Sequence, residues 1–390
     1  EYLASVGQSG TGQVKVQGAN GQSYDQGGAG ERSLDVGVVA SVNPNSDIYL
    51  FNGSGYNGNA DASTFTAIQS ALWDPTLRAA VLSSSFGDDQ SMSPNSPFYQ
   101  AYRQLQIDAA LKNVTLFNAL GDGVSGNETG NGLTNLAYNE TSAYNVMVGG
   151  TSLSTLTAAQ NDTTLNPSIV APALAGDRAT LWQLMAGGLT SLPTDAATLQ
   201  TFVEAVWNPY YVEGNHITIK NSPFEGGYLV NTTSSAGVDT SQPTPDYQLA
   251  YGLHPTTTGP SPETGRGAPD VAANAGGNLA YLTPNADMVG SGPDGGTSAA
   301  TPLWASLGVQ LNTIFHDQGL PNLGYMNDLL YIASAIAPAS FNDITIGSNT
   351  SSFTLGGSYH SNGTELTPTG FGYYAGPGYD LVTGLGTPNG

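Results

Sequence analysis

Ala79-Ala80-Val81-Leu82-Ser83-Ser84-Ser85, a helical pattern over 97–112, and Val114-Thr115-Leu116-Phe117-Asn118 together decide the fold class. Each flanking run is apolar and too short for a helix, and the second is rich in β-branched and aromatic residues, so both read as buried strands. The stretch between them is long enough to cross back over a sheet. Strand, helix and strand in that order make a βαβ unit, whose strands lie parallel.

The same alternation extends outward. Residues 31–41 read as an amphipathic helix, 47–52 as a strand and 60–72 as a helix, and Asn145-Val146-Met147-Val148 reads as a further strand. The expected class is therefore α/β, with a mostly parallel central sheet flanked by helices. Ligands of such sheets gather beyond the C-terminal ends of the strands, and Asp122 follows one of those ends. Residues 152–205 break the rhythm and read as a helical insertion, with helices from Arg178 to Gly188 and from Ala196 to Val206. Stretches 232–246 and 255–268 read as loops, and 339–390 as a loop-rich closing segment. No internal repeat or linker interrupts the chain, so 1–390 reads as one domain.

Composition narrows the function. The 390 residues carry 30 acidic against 8 basic side chains, a formal charge of −22. A hydrophobic content of 39%, with 20 Tyr and 4 Trp, argues for a packed globule rather than a disordered acidic chain. So little positive charge excludes nucleic acid and anionic membrane as partners. Protonating every carboxylate would leave about +12 from the basic residues and the four histidines, so repulsion in acid stays moderate. There is no cysteine, hence no disulfide or thiol chemistry. N-x-Ser/Thr triplets open at Asn52, Asn113, Asn127, Asn139, Asn161, Asn231, Asn349 and Asn362, candidate N-glycan acceptors that point to a secreted glycoprotein in an acidic setting. No signal peptide or membrane span is legible, which reads as mature material.

Three motifs carry chemistry. In Gly295-Gly296-Thr297-Ser298-Ala299-Ala300-Thr301-Pro302 a serine stands where a helical stripe of Leu303, Leu307, Leu311 and Ile314 begins. The positive end of a helix dipole favours an alkoxide-like nucleophile there, although an N-cap serine is the commoner reason for that placement. Pro302 is expected in the first turn, where its missing N–H matters least. Glu31 and Asp35, at i and i+4, share a face with Leu34 and Val38 and should point inward. Two such carboxyls cannot easily ionise together, so the pair can hold one proton and act as a base in acid, where imidazole is already charged. An acidic first turn is the alternative. Asp122, in Gly121-Asp122-Gly123, is either a turn residue or a protonated carboxyl that donates to an oxyanion.

His216, His254, His316 and His360 lack an obvious acidic partner, which disfavours a Ser-His-Asp triad. Asp343 and Asp380, in Gly-rich turns with backbone carbonyls nearby, have the oxygen-donor chemistry that calcium takes, or are simply turn aspartates.

Taken together, these motifs resemble the sedolisins, the serine-carboxyl peptidases of subtilisin-like fold. Further stretches resemble that family along nearly the whole chain: Val148-Gly149-Gly150-Thr151, Glu204-Ala205-Val206-Trp207-Asn208, Arg266-Gly267-Ala268-Pro269-Asp270-Val271 and the closing Gly378 to Pro388. The resemblance implies Ser298 as nucleophile, Glu31 as its base, Asp35 as the carboxyl supporting Glu31, and Asp122 as the oxyanion-hole acid. It implies one structural calcium ion held by Asp343 and Asp380 with the carbonyls of Ile344, Gly376 and Gly378. It also implies an acyl-enzyme, acid pH, protein or peptide substrates, and a propeptide or cleaved N-terminal segment.

The chain departs from the family pattern in several places. Only thirty residues precede Glu31, so the family's N-terminal core strand is expected to be missing. The acid turn reads Leu120-Gly121-Asp122-Gly123, the strand end reads Ser84-Ser85-Phe86-Gly87-Asp88-Asp89, and Ser235-Ala236-Gly237-Val238 replaces the usual substrate wall. The expected function is a secreted, acid-acting endopeptidase. A tripeptidyl-peptidase of the same family is one rival, and a non-catalytic glycoprotein keeping the fold is another.

Overall fold

The computed structural model describes residues 1–17, 29–51, 53, 63–88, 96–123, 141–186, 202–209, 211–219, 224–225, 228–258, 261–286 and 290–389. It divides into two compact units. The first comprises Glu1–Ala119, Tyr138–Val148 and Tyr281–Leu329, and the second Leu120–Ala137, Gly149–Ala280 and Leu330–Gly390.

The first unit has the expected βαβ order. In chain sequence it runs β1 (Val14–Gln17), α1 (Ala29–Val42), β2 (Ile48–Phe51), α2 (Thr64–Trp73), β3 (Val81–Ser84), α3 (Pro97–Leu111), β4 (Thr115–Ala119) and β5 (Val146–Thr155), which continues into the second unit. Strands β3 and β4 pair in parallel, Val81 opposite Thr115, and β4 pairs in parallel with β5, Phe117 opposite Val146. β1 and β2 form a separate parallel pair. The hairpin β6 (Tyr281–Pro284) and β7 (Ser291–Asp294) precedes the long helix α4 (Thr297–Asp317).

Strand alternation splits the core into two layers. Leu116 packs with Ile68 and Leu72 of α2 and with Tyr99, Tyr102, Leu105 and Ala109 of α3. Its neighbour Phe117, fully buried, turns to the other face, where a Cβ at Gly308 of α4 would lie 3.2 Å from its ring. Helix α2 starts cleanly because Ser63 caps it and the Asp88 carboxylate accepts from the Thr64 and Phe65 amides at 2.8 and 3.0 Å.

In the second unit, β5 pairs antiparallel with Phe202–Val206. The helix expected over Ala196 to Val206 is therefore a strand in its described part, and 196–201 lie outside the described residues. Val203 and Ala205 are buried while the Glu204 carboxylate accepts from the Thr151 and Thr387 hydroxyls at 2.5 and 3.1 Å, so strand pairing outweighs the helix propensity of Glu and Ala. The other expected helix is present as Arg178–Ala186.

The stretches read as loops also carry structure. Gly237–Asp239 pairs antiparallel with Arg266–Ala268, and Asp246–Ala250 is helical. The closing segment contains a hairpin, Ser352–Ser361 with Thr364–Pro368, whose register slips between Leu355 and Tyr359. Gly356 and Gly357, at φ 82° and 119°, supply the backbone that this bulge needs. No described helix is long and apolar enough to cross a membrane.

Candidate active site

The site in the first unit is assembled by helix packing. Leu34 and Val38 of α1 bury against Ala299 of α4, with Tyr281 and Leu303 beside them. Glu31 and Asp35 lie on the same side of α1 as those apolar residues, and Ser298 directly precedes Ala299. The contact that builds the core thus carries two carboxyls towards the serine.

Helix α4 differs from expectation at its start. Gly296 is the cap, at φ 90°, and Thr297 and Ser298 already lie within the helix, so Ser298 is not the N-cap. Gly is needed at that cap because side-chain-bearing residues rarely adopt such a φ. Pro302 therefore falls beyond the first four positions. Its absent N–H is the one that would have met the Ser298 carbonyl. Ser85 takes that role: its hydroxyl donates towards the Ser298 carbonyl at 3.1 Å.

The same Ser85 hydroxyl lies 2.8 Å from Asp35 Oδ1. It has one proton for two acceptors. With Asp35 protonated, the carboxyl can donate to Ser85 and Ser85 to the Ser298 carbonyl, so every lone group is served. Burial pushes the Asp35 carboxyl well above the usual range; the neighbouring Glu31 charge pushes it further the same way, and Ser85 opposes both. Ser298, Ser85, Glu31 and Asp35 are all partly buried rather than sealed. Ser85 had no signal in the sequence beyond its place directly after β3, where parallel sheets present their ligand sites.

Asp122 belongs to the second unit. Its turn is held by the strand-like segment that follows Asn231: Thr233 donates its amide to the Asp122 carbonyl at 3.3 Å, Ser235 donates its amide to the Gly121 carbonyl at 3.0 Å, and the Gly123 amide donates to Ser235 Oγ at 3.0 Å. Gly123 sits at φ 81°, and a Cβ there would come within 2.6 Å of the Asn231 carbonyl, so glycine is required.

The expected calcium ligands lie together in the second unit. Gly378 donates its amide to Asp343 Oδ2 at 2.8 Å, linking the two Gly-rich turns, and Gly376 donates to Asp380 Oδ2 at 3.2 Å. Asp380 Oδ1 accepts from the Val382 and Thr383 amides. Burial raises the Asp380 carboxyl to about 7 and raises Asp343 as well. Two partly buried carboxyls that burial disfavours ionising, Asp380 most, have oxygen donors that fit a divalent cation, whose charge would offset that penalty.

Nearby, Arg266 and Asp270 form a fully buried ion pair at 2.6 Å. Tyr331 donates to the second Asp270 oxygen at 3.1 Å and receives Gln248 Nε2 at 2.9 Å. The landmark Arg266 to Asp270 is thus a satisfied internal network.

The histidines and sequons also take defined places. His316 lies inside the last turn of α4 and meets Asn322 Oδ1 at 2.6 Å. Asn113, Asn161 and Asn362 are exposed, whereas Asn231 and Asn349 are buried. Asn349 Nδ2 donates to the Ser234 carbonyl at 3.2 Å. Neither buried asparagine has room for a glycan in the folded chain, which corrects the expectation for those two. Asn52, Asn127 and Asn139 lie outside the described residues.

Two partly buried carboxyls packed towards a serine in the first turn of a long helix form a candidate hydrolytic site. Several known proteins are similar to this chain. Kumamolisin, from a Bacillus species, is 29% identical over 398 aligned residues that span all of this chain and 55% of that protein. A tripeptidyl-peptidase of Arthroderma otae is 37% identical over 144 residues, 37% of this chain and 17% of its own. Physarolisin, from Physarum polycephalum, is 38% identical over 123 residues, 32% of this chain and 18% of its own. The chain therefore spans about half the length of kumamolisin and less of the others. Pseudomonas sedolisin, a serine-carboxyl proteinase solved with two molecules of pseudo-iodotyrostatin, shares the fold. Its TM-score is 0.63 at 19% identity, covering all of this chain and 84% of that one. No family model matches the chain. The chain is thus similar over its full length to kumamolisin, and it has the fold of Pseudomonas sedolisin.

Proposed function

We propose that the chain is the catalytic part of a secreted, acid-acting serine-carboxyl endopeptidase. The observation that carries this reading is the Ser85 hydroxyl, shared between the Asp35 carboxyl and the backbone of Ser298. It seats a carboxyl with a raised pKa beside a serine at a helix start.

In this mechanism Ser298 Oγ attacks the scissile carbonyl carbon and passes its proton to Glu31. Asp35, still protonated where ordinary carboxyls have ionised, steadies the Glu31 carboxylate. The C–N bond breaks, the amine leaves with the proton from Glu31, and an acyl-enzyme remains on Ser298. Water then attacks the ester with Glu31 again as base. Asp122, as a neutral carboxyl, donates to the oxyanion. Asp343 and Asp380, with the carbonyls of Ile344, Gly376 and Gly378, would hold one structural calcium ion, which would offset their negative charge.

Capture by a peptide aldehyde tests the reading. Incubation in acid, digestion and mass mapping should find the adduct on the peptide containing Ser298, and none in Ser298→Ala. No adduct, with the aldehyde bound nowhere, would instead favour a glycoprotein that keeps only the fold. Peptides with blocked and free amines then separate an endopeptidase from a tripeptidyl-peptidase, since only the latter requires the free amine.

A further inference from the structure

We propose that His216 and His360 form a surface site for a late first-row transition ion such as Cu²⁺ or Zn²⁺, built from none of the residues assigned to catalysis or to calcium. Its basis is a row of four side chains across four strands of the second unit. Glu213 stands opposite His216 in the antiparallel pair Tyr211–Glu213 with His216–Thr218. His216 stands opposite His360 in a parallel pairing, and His360 opposite Glu365 in the closing hairpin. Residues in register on adjacent strands project to one face of a sheet. The face therefore presents Glu, His, His and Glu side by side.

The two imidazoles are in edge-to-face contact, ring centroids 5.4 Å apart. Rotating rings at that separation can bring one nitrogen of each to about 2.0–2.1 Å from a common ion, with water completing the coordination. Among the described residues no three or more such side chains converge on one point. The site is accordingly an open two-imidazole chelate and not a closed structural centre. Imidazole donors select copper, nickel or zinc over calcium and magnesium, which prefer oxygen. Glu213 and Glu365, the charged residues of the row, add negative charge on both sides and can order the ion's waters.

The location gives the site a consequence. The His216–Thr218 and Ser352–Ser361 strands meet in one register pair, that of the two histidines, where the His360 amide donates to the Asn215 carbonyl at 2.9 Å. An ion held by both rings would brace this narrow seam and fasten the 211–218 hairpin to the sheet.

Calorimetric titration of the full chain with Zn²⁺ and Cu²⁺ tests this without any peptidase assay. At about pH 7.5 we expect one ion per chain, weakened roughly tenfold or more in His216→Gln and in His360→Gln. Both side chains are at least partly exposed, so the variants should fold. Zn²⁺ should raise the melting temperature of the wild type and of neither variant. Absence of binding at about pH 7.5, or binding unchanged in both variants, would overturn the proposal.

Discussion

At the scale of single residues, Ser85 is the position on which the site depends and which sequence reading did not single out. Ser298, Glu31 and Asp35 were legible because a helix-start serine and an i, i+4 carboxyl pair are local patterns. Ser85 acts through residues 50 and 213 positions away in sequence, and a serine after a strand has no distinctive local signature. Its link to Pro302 follows from the start of α4 at Thr297, which leaves Ser298 four residues before the helical position whose N–H is missing. Ser85 stabilises the ionised Asp35, so Ser85→Ala should raise that carboxyl further. Losing a hydrogen bond to a carboxylate is worth about 1.5 kcal/mol, or roughly one pH unit in the limb that Asp35 governs. A pH–rate profile of the variant checks this. An unchanged limb together with normal kcat would mean that Ser85 is only a backbone prop.

At the scale of elements, the parallel strands were legible as short apolar runs and their crossover helices as longer periodic stretches between them. The strand Phe202–Val206 was not, since its Glu and Ala suit a helix and only pairing with β5 decides its state. The closing hairpin was hidden by Gly, Ser and Thr, whose strand role depends on the bulge at Gly356 and Gly357. The close approach of α1 to hairpin β6–β7 offers a direct test. A Cβ at Gly37 would lie 2.2 Å from Pro284 Cδ. Gly37→Ala should therefore push the two apart and destabilise the chain by about 1–3 kcal/mol, despite alanine's better helix propensity. Phe117→Ala, opening a cavity between β4 and α4, should cost about 3–5 kcal/mol. Denaturant midpoints measure both. A stabilised Gly37→Ala would refute the packing described for α1.

At the scale of the whole molecule, several carboxyls are tuned in one direction. Asp35, Glu204, Asp343 and Asp380 are all raised, burial being the leading cause in each. In the native state these groups hold protons that the unfolded chain releases at ordinary carboxylate pKa values. Their contribution is fully present below about pH 4 and is lost as pH rises towards the folded values, which for Asp380 is about 7. Without added metal, melting temperature should fall steadily over that window, and the mounting negative charge of the chain deepens the fall. Calcium should reverse the part due to Asp343 and Asp380. At a hundredfold excess over its Kd it should return about 2.7 kcal/mol, and Asp380→Asn should abolish that gain. Stability that rises from about pH 4 to 7 without metal would contradict the burial of these groups.

The central claim is that Ser298 is activated by carboxyls rather than by histidine. The measurement that meets it most directly is cleavage of an unstructured protein substrate from about pH 2 to 8, wild type against Ser298→Ala. The account predicts activity confined to roughly pH 2–5 and abolished by the alanine. Activity that peaks near pH 7, or that survives in Ser298→Ala, would contradict it.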